Sequence, residues 1–232
     1  MAKPLSLFPR LTLILSFLLV AGSPAIAQLS EVELPVKKIP HPAFRDTLVD
    51  KWNKSFPAYA SLSAEEKESL YWVNLARRNP VFFCDSVLRP LLRLFSELQG
   101  PEARAMLKEV LAAGTLPMYE PHRVLIKLAR DHAQDLTSKR APLSHNSTNG
   151  TPFSTRMLKG GVNTCAAENL SMGSQGILLS VVLLYLDKGL VPAAHRQTLL
   201  SKQYTQIGVG VKPAEGGQLI LVQDFSCPLS FK

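Results

Sequence analysis

Residues 207–225 read Ile207-Gly208-Val209-Gly210-Val211-Lys212, a six-residue connector bearing Pro213, Gly216 and Gly217, and then Leu219-Ile220-Leu221-Val222-Gln223-Asp224-Phe225. Two aliphatic, β-branched runs split by turn formers predict a β-hairpin. Upstream the period changes. Ser63-Ala64-Glu65-Glu66 is a capping box, in which the Ser hydroxyl accepts from the N3 amide while the Glu reaches back. Leu70, Val73, Asn74, Ala76 and Arg77 carry that helix on until Pro80 disfavours it. A second helical stretch is expected over residues 87–98, with Pro90 near its first turn, and a third over 101–113, stopped by Gly114. Pro121 suits the N1 position of the next helix. There Val124, Leu125, Leu128, Ala129, His132, Ala133 and Leu136 give an apolar face at 3–4 spacing. Residues 144–161 are rich in Ser, Thr, Asn and Gly and read as a long functional loop. Residues 165–172 predict a short strand and 177–186 an apolar helix. Helices come first, strands mixed with helices follow, and the hairpin is antiparallel, so the class is α+β and not an alternating βαβ order.

The ends narrow the biology. Lys3 and Arg10 precede an apolar core at residues 11–20, and Ala25-Ile26-Ala27 offers a small-x-small cleavage site before Gln28. That core is well short of the ~20 residues of a spanning helix. The expectation is a signal peptide over 1–27 and export to the periplasm or medium, with no transmembrane segment in the mature chain. Cleavage leaves 205 of the 232 residues and lowers the net charge from +8 to +6. The basic residues are scattered among acids, so a nucleic-acid stripe is not expected, and the charge implies only mild attraction to anionic envelope polymers. Residues 28–62, with Pro35, Pro40, Pro42 and Pro57, read as an extended lead-in to one domain over 63–232, with a helical insertion around 86–114.

Three cysteines, Cys84, Cys165 and Cys227, allow at most one internal disulfide. If one forms, Cys165 with Cys227 is favoured, since each flanks a predicted strand; three buried thiols is the alternative. The chain has no GxGxxG, P-loop or HExxH motif.

Four chemistry-capable side chains stand in small or apolar surroundings: His145 in the polar loop, Glu168 in the short strand, Asp187 at the end of the apolar helix, and His195 eight residues on. Taken singly, each has a plain structural explanation. Their order, however, resembles the bacterial branch of the CAP superfamily (cysteine-rich secretory, antigen 5 and pathogenesis-related 1 proteins, also called SCP-like). The resemblance runs from about residue 64 to 226. It rests on Tyr71-Trp72-Val73-Asn74-Leu75-Ala76-Arg77, Leu128 to Asp135, Ser144-His145-Asn146, Gly150 to Arg156 with Phe153, Glu168-Asn169-Leu170, His195 to Leu200, Ile207 to Val211 and Val222 to Phe225.

That resemblance implies an α-β-α sandwich with a small antiparallel sheet between helices and an open cleft where two histidines and two acids meet. These map onto His145, Glu168, Asp187 and His195. Two positions depart from the pattern: Leu184 stands where a Trp is usual, and Asp187 where a Glu, one methylene longer, is usual. Ala167 also replaces the usual Gly. His132 reads as a packed, hydrogen-bonded core histidine.

His145 and His195 could hold a divalent ion such as zinc through neutral imidazole nitrogen, with binding that weakens below about pH 6.5. The first functional expectation is a non-catalytic exported binding module for a lipid, peptide, envelope polymer or protein partner. The second is a metal-assisted hydrolase with Glu168 as general base. The third treats the four groups as an internal hydrogen-bond network. Neither Ser144 nor Cys165 sits in a recognisable nucleophile motif.

Overall fold

The computed structural model describes residues 34–229, so the leader expected over 1–27 lies outside the described residues. Within 34–62 the chain is not simply extended. The Asp46 carboxylate accepts from the Leu48 and Val49 amides at 2.9 and 3.4 Å and starts helix α1 (Thr47–Lys54). The prolines that signal an extended segment fall outside those eight residues, so nothing opposes an aspartate N-cap. The capping box at Ser63 and Glu66 then opens α2 (Ala64–Arg78), with both reciprocal bonds present.

Arg77 and Asn74 are buried in α2 because they tie its inner face to the following connector. Asn74 donates to the Tyr119 carbonyl at 3.0 Å and accepts the Tyr119 amide at 2.7 Å. The Arg77 guanidinium stacks on the Tyr119 ring and donates to the carbonyls of Pro117, Leu199 and Ser201. Its charge is thus matched by carbonyl dipoles rather than by a carboxylate.

Helical structure resumes directly after α2, ahead of the second helical stretch expected from residue 87. Asn79 caps α3 (Pro80–Phe83), and Pro80 takes its N1 position. The proline that ends one helix therefore starts the next. A wide turn over residues 84–88 follows, in which the Arg89 amide bonds back five residues to the Cys84 carbonyl. Pro90, which has no N–H to give, then falls inside α4 (Arg89–Leu94). Helix α5 (Pro101–Ala113) runs as expected and stops at Gly114, whose φ is +62°.

Pro121 is not a helix N1 residue. With Glu120 it forms the short strand β1 (Glu120–Pro121), paired parallel to Gln206 and Ile207. The flanking amides of Glu120 and His122 carry the bonds, each 2.9 Å, to Thr205 and Ile207 carbonyls, so the missing proline donor is not needed there. Helix α6 (Arg123–Ser138) starts two residues later and buries the predicted stripe except Val124, which is half-buried. Part of the expected loop at 144–161 is likewise helical, as α7 (Phe153–Lys159).

Strand β2 (Ala166–Gly173), helix α8 (Ile177–Leu186), helix α9 (Ala194–Leu200) and the hairpin of β3 (Gln206–Pro213) and β4 (Leu219–Ser226) complete the fold. The sheet order is β1-β3-β4-β2, so β2 is an edge strand, antiparallel to β4. The sheet is mixed rather than purely antiparallel, because β1 runs parallel to β3. Helix α6 covers one face. The opposite face meets α2 and α8, where Gln223 donates to the Ser69 hydroxyl at 3.0 Å. A disulfide between Cys165 and Cys227, with Cα atoms 5.4 Å apart, staples the start of β2 to the end of β4. Cys84 is the free thiol. It is fully buried in the core, and burial pushes its pKa up to about 11.

Helix α6 lies so close to the sheet that a Cβ at Gly208 would overlap the Leu125–Ile126 peptide, and one at Gly210 the Ala129–Arg130 peptide. The alternating glycines of Gly208-Val209-Gly210 are therefore a packing requirement. Gly208→Ala is expected to cost at least ~2 kcal/mol in urea unfolding, since backbone has to move. Gly216→Ala, at φ +64° with open space around it, should cost only about 1 kcal/mol of left-handed strain. Equal costs would contradict this packing.

Candidate functional site

Strand β2 sits at the sheet edge and sends alternate side chains to opposite faces. Glu168 is in register with Asp224 and so lies on the face that α6 covers. Asn169, one residue on, pairs with Gln223 on the other face and donates to the His195 carbonyl and the Gln223 side chain, both at 3.4 Å. Two adjacent residues of one edge strand thus address two different sides of the sheet.

On the α6 side the Glu168 carboxylate is buried and fully engaged. One oxygen accepts from His145 Nδ1 at 2.9 Å, and the other pairs with the Arg156 guanidinium. Arg156 also donates to the His145 carbonyl at 3.0 Å, so one arginine on α7 fixes both the carboxylate and the loop bearing the imidazole. His132 Nε2 stands 3.9 Å from the same carboxylate and bonds the Ser144 carbonyl at 2.8 Å. A carbonyl only accepts, so His132 carries its proton on Nε2. It is the packed core histidine expected, and it also forms the floor of the site. The loop is pinned further along by Asp135, which accepts from the Thr148 amide and hydroxyl at 2.7 and 2.6 Å.

The electrostatics of this cluster follow from burial and charge. Burial alone would raise Glu168, but the hydrogen bond from His145 and the positive charge of Arg156 outweigh it and hold the carboxylate below its usual range. Burial pushes His132 below the ordinary imidazole value. Asp224 is fully buried and faces the Glu168 charge; both effects push it well above the usual carboxylate range. Both therefore favour its protonated, neutral form, the form in which a carboxyl can donate toward Glu168.

On the other side, Asp187 closes α8 in the left-handed conformation, φ +50°, which Asp tolerates better than most residues. Its carboxylate accepts from His195 Nδ1 at 2.5 Å and from the Arg196 amide at 2.8 Å. The shorter side chain therefore reaches its histidine, because the αL turn brings the backbone close. Arg196 bonds the Tyr185 and Leu186 carbonyls and pairs with Glu109 on α5, at 2.7, 3.0 and 2.8 Å, which anchors α5 to this half of the site.

The structure thus gathers the four expected residues as two pairs, His145 with Glu168 and Asp187 with His195, bridged by Asn169. In both pairs the carboxylate takes Nδ1, which leaves Nε2 as the nitrogen free to meet a ligand. The His145 side chain is 35% exposed and that of His195 11%. Sequence reasoning does not single out Arg156 or Asp224. Arg156 lies in a stretch that reads as loop. Asp224 stands in the period-2 register of β4 opposite Glu168, a signal that pairs them once the hairpin register is known. Cys165 is consumed in the disulfide, and the Ser144 hydroxyl accepts the Asn146 amide at 3.1 Å.

The two acids have opposite signs in stability. Asp224 binds a proton in the folded state where the unfolded chain has released it, so its contribution is complete below about pH 4 and declines as pH rises. Glu168 contributes above about pH 4.3, and that contribution fades as pH falls. Asp224→Asn keeps an N–H donor and removes the loss, so urea unfolding should show ~1 kcal/mol more stability at pH 7 and none at pH 4. Glu168→Gln should cost about 3 kcal/mol at pH 7, because the buried Arg156 loses its counter-charge. A uniform effect of Asp224→Asn at both pH values would contradict a neutral buried acid.

A protein-family profile described as CAP: Cysteine-rich secretory protein family matches residues 73–225. Comparison with curated proteins gives no match. Among solved structures, an extracellular protein containing a SCP domain from Bacillus anthracis is 20% identical, with a TM-score of 0.43 over 56% of this chain and 44% of that one. This chain thus covers less than half of that protein's length. An outer surface protein from Borrelia burgdorferi is 23% identical, with a TM-score of 0.42 over 61% of this chain and 93% of that one. With the profile spanning more than half its length, the chain belongs to the CAP, cysteine-rich secretory protein, family.

Proposed function

We propose that this protein is an exported, non-catalytic binding module of the cell envelope, whose ligand is met at the edge strand by the Nε2 atoms of His145 and His195. The observation that carries this reading is the locking of both imidazoles through Nδ1 by buried carboxylates. Such rigidity removes the ordering cost of binding from the two groups that face the ligand. The leader over residues 1–27 and the net charge of +6 that remains after it support export toward anionic envelope components. Among the described residues no helix is long and apolar enough to cross a membrane.

A hydrolase using Glu168 as general base is less well supported. A base works best with a pKa near the working pH, whereas both Glu168 oxygens are engaged and Arg156 and His145 hold it below the carboxylate range. The same geometry makes Glu168 and Asp187 orienting groups. An imidazole that gives Nδ1–H to a carboxylate and presents Nε2 is in the tautomer that zinc takes, so each of the two histidines presents a nitrogen that a divalent ion can take. Among the described residues no three His, Cys, Asp or Glu side chains gather into a ligand set, so water or the ligand itself would complete the coordination. A bound ion would supply a positive contact for an anionic group of the ligand.

Calorimetric zinc titration tests this directly. Modest binding is expected at pH 7.5. Arg156→Lys should weaken it roughly 10-fold through misplacement of Glu168 and His145. Zinc binding unchanged in His145→Ala/His195→Ala would remove the two imidazoles from the site.

A further inference from the structure

Helices α4 and α5 hold a concave site that the edge-strand histidines do not line. Between α4 and α5 lies an open pocket of about 360 Å³. Leu92, Ala103 and Leu107 give it an apolar lining, Gln99 and Gly100 line it between the two helices with the Glu102 carboxylate beside Gly100, and Arg89, Arg93 and Arg104 complete it. Arg89 is partly matched by Asp85, one helical turn away at 3.0 Å. Arg93 and Arg104 have no carboxylate partner among the described residues. Three guanidinium groups around one concavity repel each other and create a local positive potential that an anion would relieve. A guanidinium also presents its donors as a planar fork that fits phosphate oxygens two at a time. Leu92, Ala103 and Leu107 offer methyl and methylene groups beside the guanidinium groups, which suits a headgroup continued by a hydrocarbon chain.

We propose that this pocket seats the phosphate headgroup of an anionic phospholipid, with Arg93 and Arg104 on the phosphate and Leu92, Ala103 and Leu107 against the first carbons of the tail. The site would hold the protein on a membrane surface. It rests on the export reading but not on the histidine pairs, although the Glu109–Arg196 ion pair joins α5 to the helix that carries His195.

Vesicle flotation of the purified protein tests it, using phosphatidylcholine vesicles with and without 30% phosphatidylglycerol at about 0.1 M salt, where screening still permits short-range charge pairing. Binding is expected only with phosphatidylglycerol. Arg93→Ala/Arg104→Ala should weaken it at least 10-fold, whereas Lys51→Ala/Lys202→Ala, which removes the same charge elsewhere, should change it less than 3-fold. Arg93→Lys/Arg104→Lys keeps charge and surface exposure, guards against a folding artefact, and should still lose affinity because the fork is gone. Equal losses in the arginine and lysine deletion variants, full binding in the Arg→Lys variant, or no selectivity for phosphatidylglycerol would overturn the pocket. Zinc titration of the same arginine variant reads the histidine site separately: a failed vesicle result with zinc binding intact rejects this pocket alone.

Discussion

A carboxylate buried at the edge of a sheet has to be paid for by its surroundings, and in this protein that carboxylate is Glu168. Its two oxygens recruit the Arg156 guanidinium from α7 and the His145 imidazole from the loop before it. Beneath it, Asp224 is pushed toward its neutral form, since burial and the charge of Glu168 both oppose a second carboxylate there. His132 stays neutral for the same reason of burial and spends its proton on the Ser144 carbonyl. One ionised group thus decides the protonation of its neighbours and the course of the polar loop. Remove its charge and Arg156 loses the partner that makes its burial tolerable.

The second half of the site repeats the logic with different parts. Asp187 sits at a helix end, in a left-handed turn, and holds His195 and the Arg196 amide. Because β2 is an edge strand, its alternating side chains connect both halves: Glu168 turns toward α6 and Asn169 toward α9. The disulfide between Cys165 and Cys227 fixes the end of that edge strand against β4, three residues from Glu168. The edge position, normally open to pairing with another strand, is flanked here by α7 and α9.

Much of this is legible in residue patterns alone. The capping box at Ser63 and Glu66, the stop at Gly114, the stripe on α6, the apolar run of α8 and the hairpin appear where periodicity places them, because each follows from a local preference that no distant contact opposes. The departures share a cause. Pro80 and Pro121 are ambiguous because a proline marks a boundary without saying which side continues. Pro80 opens a helix, and Pro121 joins a sheet through pairing with Ile207, a contact that no local window of sequence contains. Helix α1 is hidden behind the prolines around it. Arg156 escapes a reading by pattern because short helices in polar segments draw their stability from tertiary bonds, here to Glu168 and the His145 carbonyl. The site residues are legible through family resemblance rather than spacing, and their division into two carboxylate–imidazole pairs needs the strand register.

The organisation of the site turns on where the imidazole protons sit. Nitrogen-15 spectra of the histidine side chains at pH 7.5 would read this directly, with His145 and His195 predicted to be Nδ1–H tautomers and His132 an Nε2–H tautomer. Finding the proton on Nε2 of His145 or His195 would mean that the buried carboxylates do not hold those rings, and the pairing of each imidazole with its acid would be contradicted.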